Sequence, residues 1–195
     1  MDKRRVVITG MGALTPIGKT AEDSWQAAKA GTCGIDTIKQ YDTSNQKVHL
    51  AGEVKDFNAE DYLERREARR MDRFTQFAVI AAGEALKNSG LDLETEDRSN
   101  IGVVVSSGIG GINTIQNETI KGNEKGFDKV SPFFIPMVIA NMAAGQIAIK
   151  YGLQGMCTCP VSACAGGSNA IGDAFRHIRD GYAEVMLCGG TEAAI

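Results

Sequence analysis

The chain has 195 residues and a mass of 20.8 kDa, enough for one domain with a sizeable core. Hydrophobic residues make up 43% and charged residues 23%, a balance that excludes intrinsic disorder. Its 21 basic and 24 acidic residues leave a net charge of −3, which argues against a surface built to coat nucleic acid.

Residues 4–9 carry the β-branched run Val6-Val7-Ile8, closed by Gly10-Met11-Gly12, and predict a first buried strand. The run is too short for the apolar stretch of a signal peptide, so none is expected. Thr20-Ala21-Glu22-Asp23 reads as a capping box that opens a helix ending near Gly31. Asn58-Ala59-Glu60-Asp61 offers a second start of the same kind. Over 72–89, Phe74, Phe77, Ala78, Ala81, Ala82, Ala85 and Leu86 recur at three- and four-residue steps, and Gly90 is the natural stop of that amphipathic helix. Residues 101–106 predict a second buried strand, followed by the turn Gly108-Ile109-Gly110-Gly111.

A helix is expected over 136–151. The apolar window 133–149 is interrupted by Pro136, Asn141, Gly145 and Gln146, so a buried helix fits it better than a membrane span. A third strand is expected at 156–162, a helix at 165–180 and a fourth strand at 184–188. Strands alternating with helices in this order imply an α/β layered fold with a mainly parallel sheet.

Several chemistries drop out on spacing. Gly10 and Gly12 begin a dinucleotide fingerprint, but Thr15 stands where its third glycine belongs; Gly108 and Gly110 fail in the same way at Asn113. Both clusters read instead as tight strand exits. Cys157, Cys159 and Cys164 lack paired Cys-x-x-Cys spacing and have no nearby His or carboxylate to complete a tetrahedral set, so neither a metal nor a cofactor is expected. Five cysteines, an odd number in a chain of this size, are expected as reduced thiols in a cytoplasmic protein.

The segment Val161-Ser162-Ala163-Cys164-Ala165-Gly166-Gly167 carries the clearest chemistry. A strand ends, a thiol sits at the turn and a glycine-rich helix follows at once, as in the strand-turn-helix elbow that presents a nucleophile in hydrolases. The positive end of the helix favours thiolate, and small neighbours let a substrate reach the sulfur. A structural cysteine beside a helix start is the alternative. The acid-base partner is harder to find, because His49 and His177 are the two histidines of the chain. His177 lies 13 residues beyond Cys164, roughly 20 Å along a continuous helix. His49 sits in a polar connection with nothing pointing it at the elbow. An independent cysteine hydrolase is therefore disfavoured. Arg65-Arg66-Glu67-Ala68-Arg69-Arg70 makes a positive ridge, either a solvated face or a dock for an acidic protein.

These segments resemble the elongating β-ketoacyl-acyl-carrier-protein synthases, and among them the synthase II type of bacterial fatty-acid synthesis. The resemblance rests on 4–12 with Thr15-Pro16-Ile17-Gly18, on Arg70-Met71-Asp72-Arg73-Phe74 and on Ser107-Gly108-Ile109-Gly110-Gly111. Ser131-Pro132-Phe133-Phe134-Ile135-Pro136, the Cys164 elbow and Cys188-Gly189-Gly190-Thr191-Glu192 complete it in family order. It implies a thiolase-like, layered α-β-α-β-α architecture in a homodimer, of which 1–195 is most of the N-terminal half, with a mainly parallel mixed sheet. It further implies that Cys164 takes an acyl group from acyl-carrier protein and condenses it with malonyl-carrier protein as CO₂ leaves. By the same mapping Ile109, Phe134 and Ala163 line the acyl pocket, and Arg66, Arg69 and Arg70 dock the carrier; no nucleic acid or membrane is involved.

Three departures stand out. The family's elbow reads Cys-x-Ser-Gly, whereas position 166 here is Gly166, which removes a hydroxyl. Pro160 is awkward in a central strand because it lacks the ladder N–H. Family members are about twice as long and keep two catalytic histidines, a lysine and a gating loop in the second half, so this chain is expected to be a part that cannot condense alone. A non-catalytic carrier-binding or dimerising module is the alternative.

Overall fold

The computed structural model describes residues 4–195. Its centre is a parallel three-stranded sheet in the order β4-β3-β5, formed by β3 (Ile101–Ser106), β4 (Cys157–Thr158) and β5 (Val185–Gly190). β3 is in the middle: Val103 and Val104 pair with Cys157 and Thr158 on one side, and all six of its residues pair with 185–190 on the other. With ladders on both edges and helices on both faces, β3 has no solvent face, which is why its run is continuously apolar rather than alternating.

The two faces of β3 are covered differently. Ile101, Val103 and Val105 join the core with Phe74, Val79 and Ala82 of α3 (Arg73–Ser89) and Ala143, Ala144 and Ile147 of α6 (Met142–Tyr151). Against the other face lies α7 (Gly166–Arg179), whose buried residues Gly166, Ala170 and Ala174 repeat every four positions. That spacing puts the small residues on one stripe, so the helix sits close to the strands.

The helix signals hold. α1 (Ala21–Lys29) is capped by Thr20, whose hydroxyl accepts the Asp23 N–H at 3.0 Å, and Asn58 caps a single 3₁₀ turn, Ala59–Asp61. α3 begins on the Asp72 cap and ends at Gly90 with φ +72°. Between them, β1 (Asp36–Thr37) and β2 (Leu50–Ala51) form a short antiparallel pair, and α2 (Arg65–Ala68) is one turn. The expected helix over 136–151 is two helices, α5 (Phe134–Val138) and α6, broken at Ile139. α4 (Ile112–Lys125) has no apolar stripe strong enough to announce it in the sequence; two of its residues, Thr114 and Gly122, are buried.

Two strand expectations need correction. Residues 4–9 form no strand: among the described residues their backbone makes one bond, Arg4 N–H to the Arg179 carbonyl at 3.3 Å, and Val7 and Ile8 are 61% and 80% exposed. A β-branched run becomes a strand only beside an edge that completes its hydrogen bonds. The third strand is confined to Cys157–Thr158, since Pro160 cannot extend the ladder. The first glycine cluster also has a different role from a strand exit. A Cβ on Gly10 or Gly12 would collide with the carbonyl oxygens of Ala85 and Ala81, so these glycines let the chain lie directly on the α3 backbone.

Candidate active site

Cys164 sits in a 3₁₀ turn, Ala163–Ala165, between Pro160 and the first residue of α7. Its thiol is exposed and makes no hydrogen bond among the described residues. Ala163, just before it, has φ +49°, a left-handed conformation that costs a non-glycine residue roughly 1–2 kcal/mol. The sharp turn is closed across Cys164 by Asn169, whose amide donates to Ser162 Oγ at 2.6 Å. No side chain caps α7, and the N–H of its first residue, Gly166, donates to the Ala163 carbonyl.

The glycine turn after β3 lies against this elbow: a Cβ on Gly108 would be 3.8 Å from Ala163 Cα. Ile109, the next residue of that turn, is half-exposed. The turn is held by Glu192, for which the sequence alone offers no role. Its Oε2 accepts the N–H groups of Gly108 and Ile109 at 2.7 and 3.2 Å, and its Oε1 accepts Ser107 Oγ–H at 3.1 Å. Thr191, beside it, ties its hydroxyl to the Phe74 carbonyl at 2.6 Å and its N–H to the Ser106 carbonyl at 2.9 Å. The signal for Glu192 lies in the Gly-Gly-Thr-Glu sequence that leaves β5, but a carboxylate accepting backbone N–H groups from 83 and 84 residues away has no local signature.

Phe134 joins the site less directly. It opens α5, whose last residue, Val138, accepts the Gly111 N–H at 3.0 Å. Glu118 on α4 accepts the Ser131 N–H at 2.6 Å, and Ser131 in turn accepts the Phe134 N–H at 2.9 Å. The Ser131 bond keeps the Glu118 carboxyl below the usual range despite some desolvation.

The arginine ridge lies on α2 and the turn after it. Arg66 and Arg69 are exposed and make no ion pair among the described residues, while Arg65 reaches Glu60 at 3.4 Å. The ridge's own acid, Glu67, is taken by Lys150 of α6 at 2.7 Å, so it does not neutralise the neighbouring arginines. Arg70 lies over the Phe133 ring at 4.5 Å, which joins the ridge to the segment carrying Phe134.

Neither histidine enters the site. His49 Nδ1 is 3.2 Å from Thr43 Oγ1, and the His177 ring meets Tyr182 near the far end of α7, where a surface cavity of about 300 Å³ also lies. The described residues contain no group of three or more His, Cys, Asp or Glu able to hold a metal, and all five cysteines are free. Among the described residues, no helix is long and apolar enough to cross a membrane.

Residues 3–195 match the family model of the β-ketoacyl synthase N-terminal domain. The chain is 50% identical over its full length to a 3-oxoacyl-(acyl-carrier-protein) synthase 2 of Synechocystis, and 50% identical over 192 residues to one of Staphylococcus aureus. It spans about half the length of these relatives, 47% and 46%. Among solved structures, the ishigamide ketosynthase/chain length factor superposes with a TM-score of 0.90 at 27% identity, covering 98% of this chain and 48% of that one. A type II polyketide ketosynthase solved with its acyl-carrier protein, AntDE with AntF, gives 0.82 at 27% identity over 98% of this chain and 51% of that one. The architecture is that of the thiolase-like ketosynthases, and the chain belongs to the β-ketoacyl synthase family, matching its N-terminal domain.

Proposed function

We propose that residues 1–195 are the N-terminal part of a cytoplasmic, homodimeric β-ketoacyl-acyl-carrier-protein synthase II of fatty-acid biosynthesis. The observation that carries this is the exposed Cys164 thiol on the strained Ala163 turn, at the uncapped start of α7, in a chain of this family. The sulfur attacks the thioester carbonyl of an acyl-carrier protein, and the tetrahedral intermediate collapses as the carrier's thiol leaves with the acyl group on Sγ. Malonyl-carrier protein then loses CO₂, its carbon attacks the acyl carbonyl, and Sγ departs to give 3-oxoacyl-carrier protein. In this scheme Ile109, Phe134 and Ala163 line the acyl chain, and Arg66, Arg69 and Arg70 dock the acidic carrier. The carrier-bound ketosynthase among the structural relatives supports such a partner. The outer edge of β4, unpaired among the described residues, supports a dimer that continues the sheet.

Intact-mass measurement after incubation with acyl-carrier protein tests the acyl transfer: one acyl group is expected on the chain and none on Cys164→Ala. Arg66→Glu with Arg69→Glu is expected to weaken carrier binding on the order of tenfold. With His49 and His177 both away from the elbow, this chain by itself is expected not to condense; robust 3-oxoacyl product from it overturns that. The same remoteness favours one second reading, a non-catalytic carrier-binding or dimerising module, for which carrier binding without acyl transfer to Cys164 is the signature.

A further inference from the structure

The last residue of β3 touches the elbow from both sides of Cys164. The Ser106 side chain is buried, 2% exposed, and its hydroxyl donates to the Pro160 carbonyl at 2.6 Å, four residues before the sulfur. The same hydroxyl fills the space where a side chain at Gly166 would stand, two residues after it: a Cβ there would overlap Ser106 Oγ and lie 2.8 Å from Ser106 Cβ. Gly166 is the first residue of α7, with ordinary helical φ of −56°, so backbone conformation does not demand a glycine there; the Ser106 hydroxyl does. Ser106 itself cannot yield, because its carbonyl accepts the Thr191 N–H and its backbone is paired with Gly190 in the sheet.

We propose that Ser106 is a positioning residue for Cys164: one buried hydroxyl fixes both the strand end that enters the elbow and the height of the helix that leaves it, and Gly166 is its obligatory partner. This rests on the assignment of Cys164 as nucleophile. The pair is reciprocal. A side chain at 166 requires the hydroxyl at 106 to be gone, so a hydroxyl belongs on one wall of this contact, not on both.

The test uses the purified chain and limiting iodoacetamide, with peptide mass spectrometry reading alkylation at Cys164 relative to Cys33, an exposed thiol on another loop that serves as an internal reference. Gly166→Ser is expected to change the Cys164-to-Cys33 rate ratio on the order of tenfold, since the turn and α7 can no longer seat on β3. Ser106→Gly with Gly166→Ser is expected to return the ratio to within about threefold of wild type, because the clash is relieved. Ser106→Ala, which leaves the Pro160 carbonyl without its donor, is expected to move the ratio in the same direction as Gly166→Ser, by less. A merely structural defect raises alkylation at both cysteines together and is not cured by the double substitution. An unchanged ratio in Gly166→Ser, or a double variant no better than the single, overturns the proposal. If Gly166→Ser does not fold, recovery of folding and of the wild-type ratio in the double variant supports the pair; an unchanged ratio in Ser106→Ala, or a double variant that also fails, overturns it. Wild-type Cys164 that reacts no faster than Cys33 counts against the nucleophile assignment instead, while the variant ratios still decide the pair.

Discussion

Val6-Val7-Ile8 and Val103-Val104-Val105 are nearly the same sequence, yet the molecule treats them oppositely. The second run is 0–6% exposed, paired with β5 throughout and with β4 through Val103 and Val104, and covered on both faces; the first is unpaired, with Val7 and Ile8 largely in solvent. Local propensity is equal, so the difference comes from neighbours. β3 finds two parallel edges and two helices, whereas 4–9 meets a single backbone acceptor before the chain docks on α3 through Gly10 and Gly12. β-propensity is the capacity to pack in a sheet and takes effect only where a sheet edge is offered.

The contrast can be broken most forcefully by a charge. Val104→Asp places an unpaired carboxylate in the dry face beneath α7 and is expected to cost more than about 4 kcal/mol, abolishing the cooperative urea transition. Ile8→Asp, the same change in the exposed run, is expected to stay within about 0.5 kcal/mol. Equal damage at both sites would mean that 4–9 is covered in solution.

Where the first segment is anchored, by contrast, it should be sensitive. Gly12→Ala forces a methyl onto the Ala81 carbonyl and is expected to lower stability by about 1–3 kcal/mol in chemical denaturation. The half-buried Glu84 carboxylate accepts the N–H groups of Ala13 and Ala21, each at 2.9 Å, from the segment lying over α3. Glu84→Ala is therefore expected to cost about 1–2 kcal/mol, with Glu84→Gln recovering part of it. Gly172 sharpens the point with the opposite sign. It lies inside α7, and the nearest atom to a Cβ there is the mobile end of Arg176 at 3.8 Å, so Gly172→Ala is expected to gain about 0.5–1 kcal/mol and raise the thermal midpoint.

Much of the fold was legible beforehand because its determinants are local. Thr20 caps the helix it was expected to cap, α3 begins one residue after the expected start at 72 and ends at Gly90, and β3 has the expected limits of 101 and 106. Side-chain oxygens at helix starts, a left-handed glycine at a helix end and an unbroken apolar run all act within a few residues. Cys164 was legible for the same reason, since a thiol between a strand end and a glycine-rich helix start is a pattern of adjacent positions. What escaped was long-range. Glu192 acquires its role only when β5 pairs with β3 and delivers the carboxylate to the Gly108 and Ile109 amides. α4 escaped because its burial comes through Thr114 and Gly122, not through an apolar stripe. The break between α5 and α6 escaped because the Gly110–Gly111 turn, distant in sequence, lies against it, with the Gly111 N–H donating to the Val138 carbonyl at 3.0 Å.

The sequence by itself determined that this chain is an α/β protein with a thiol-bearing elbow at Cys164, and which family that elbow and its companion motifs resemble. Only the tertiary structure decided that Val6-Val7-Ile8 is no strand, that Glu192 clamps the Ile109 turn, and that Gly166 is glycine because Ser106 occupies its side-chain space. The first set depends on bonds and preferences between near neighbours in the chain. The second depends on which backbone edges and side chains meet after folding, and sequence distance carries no record of that.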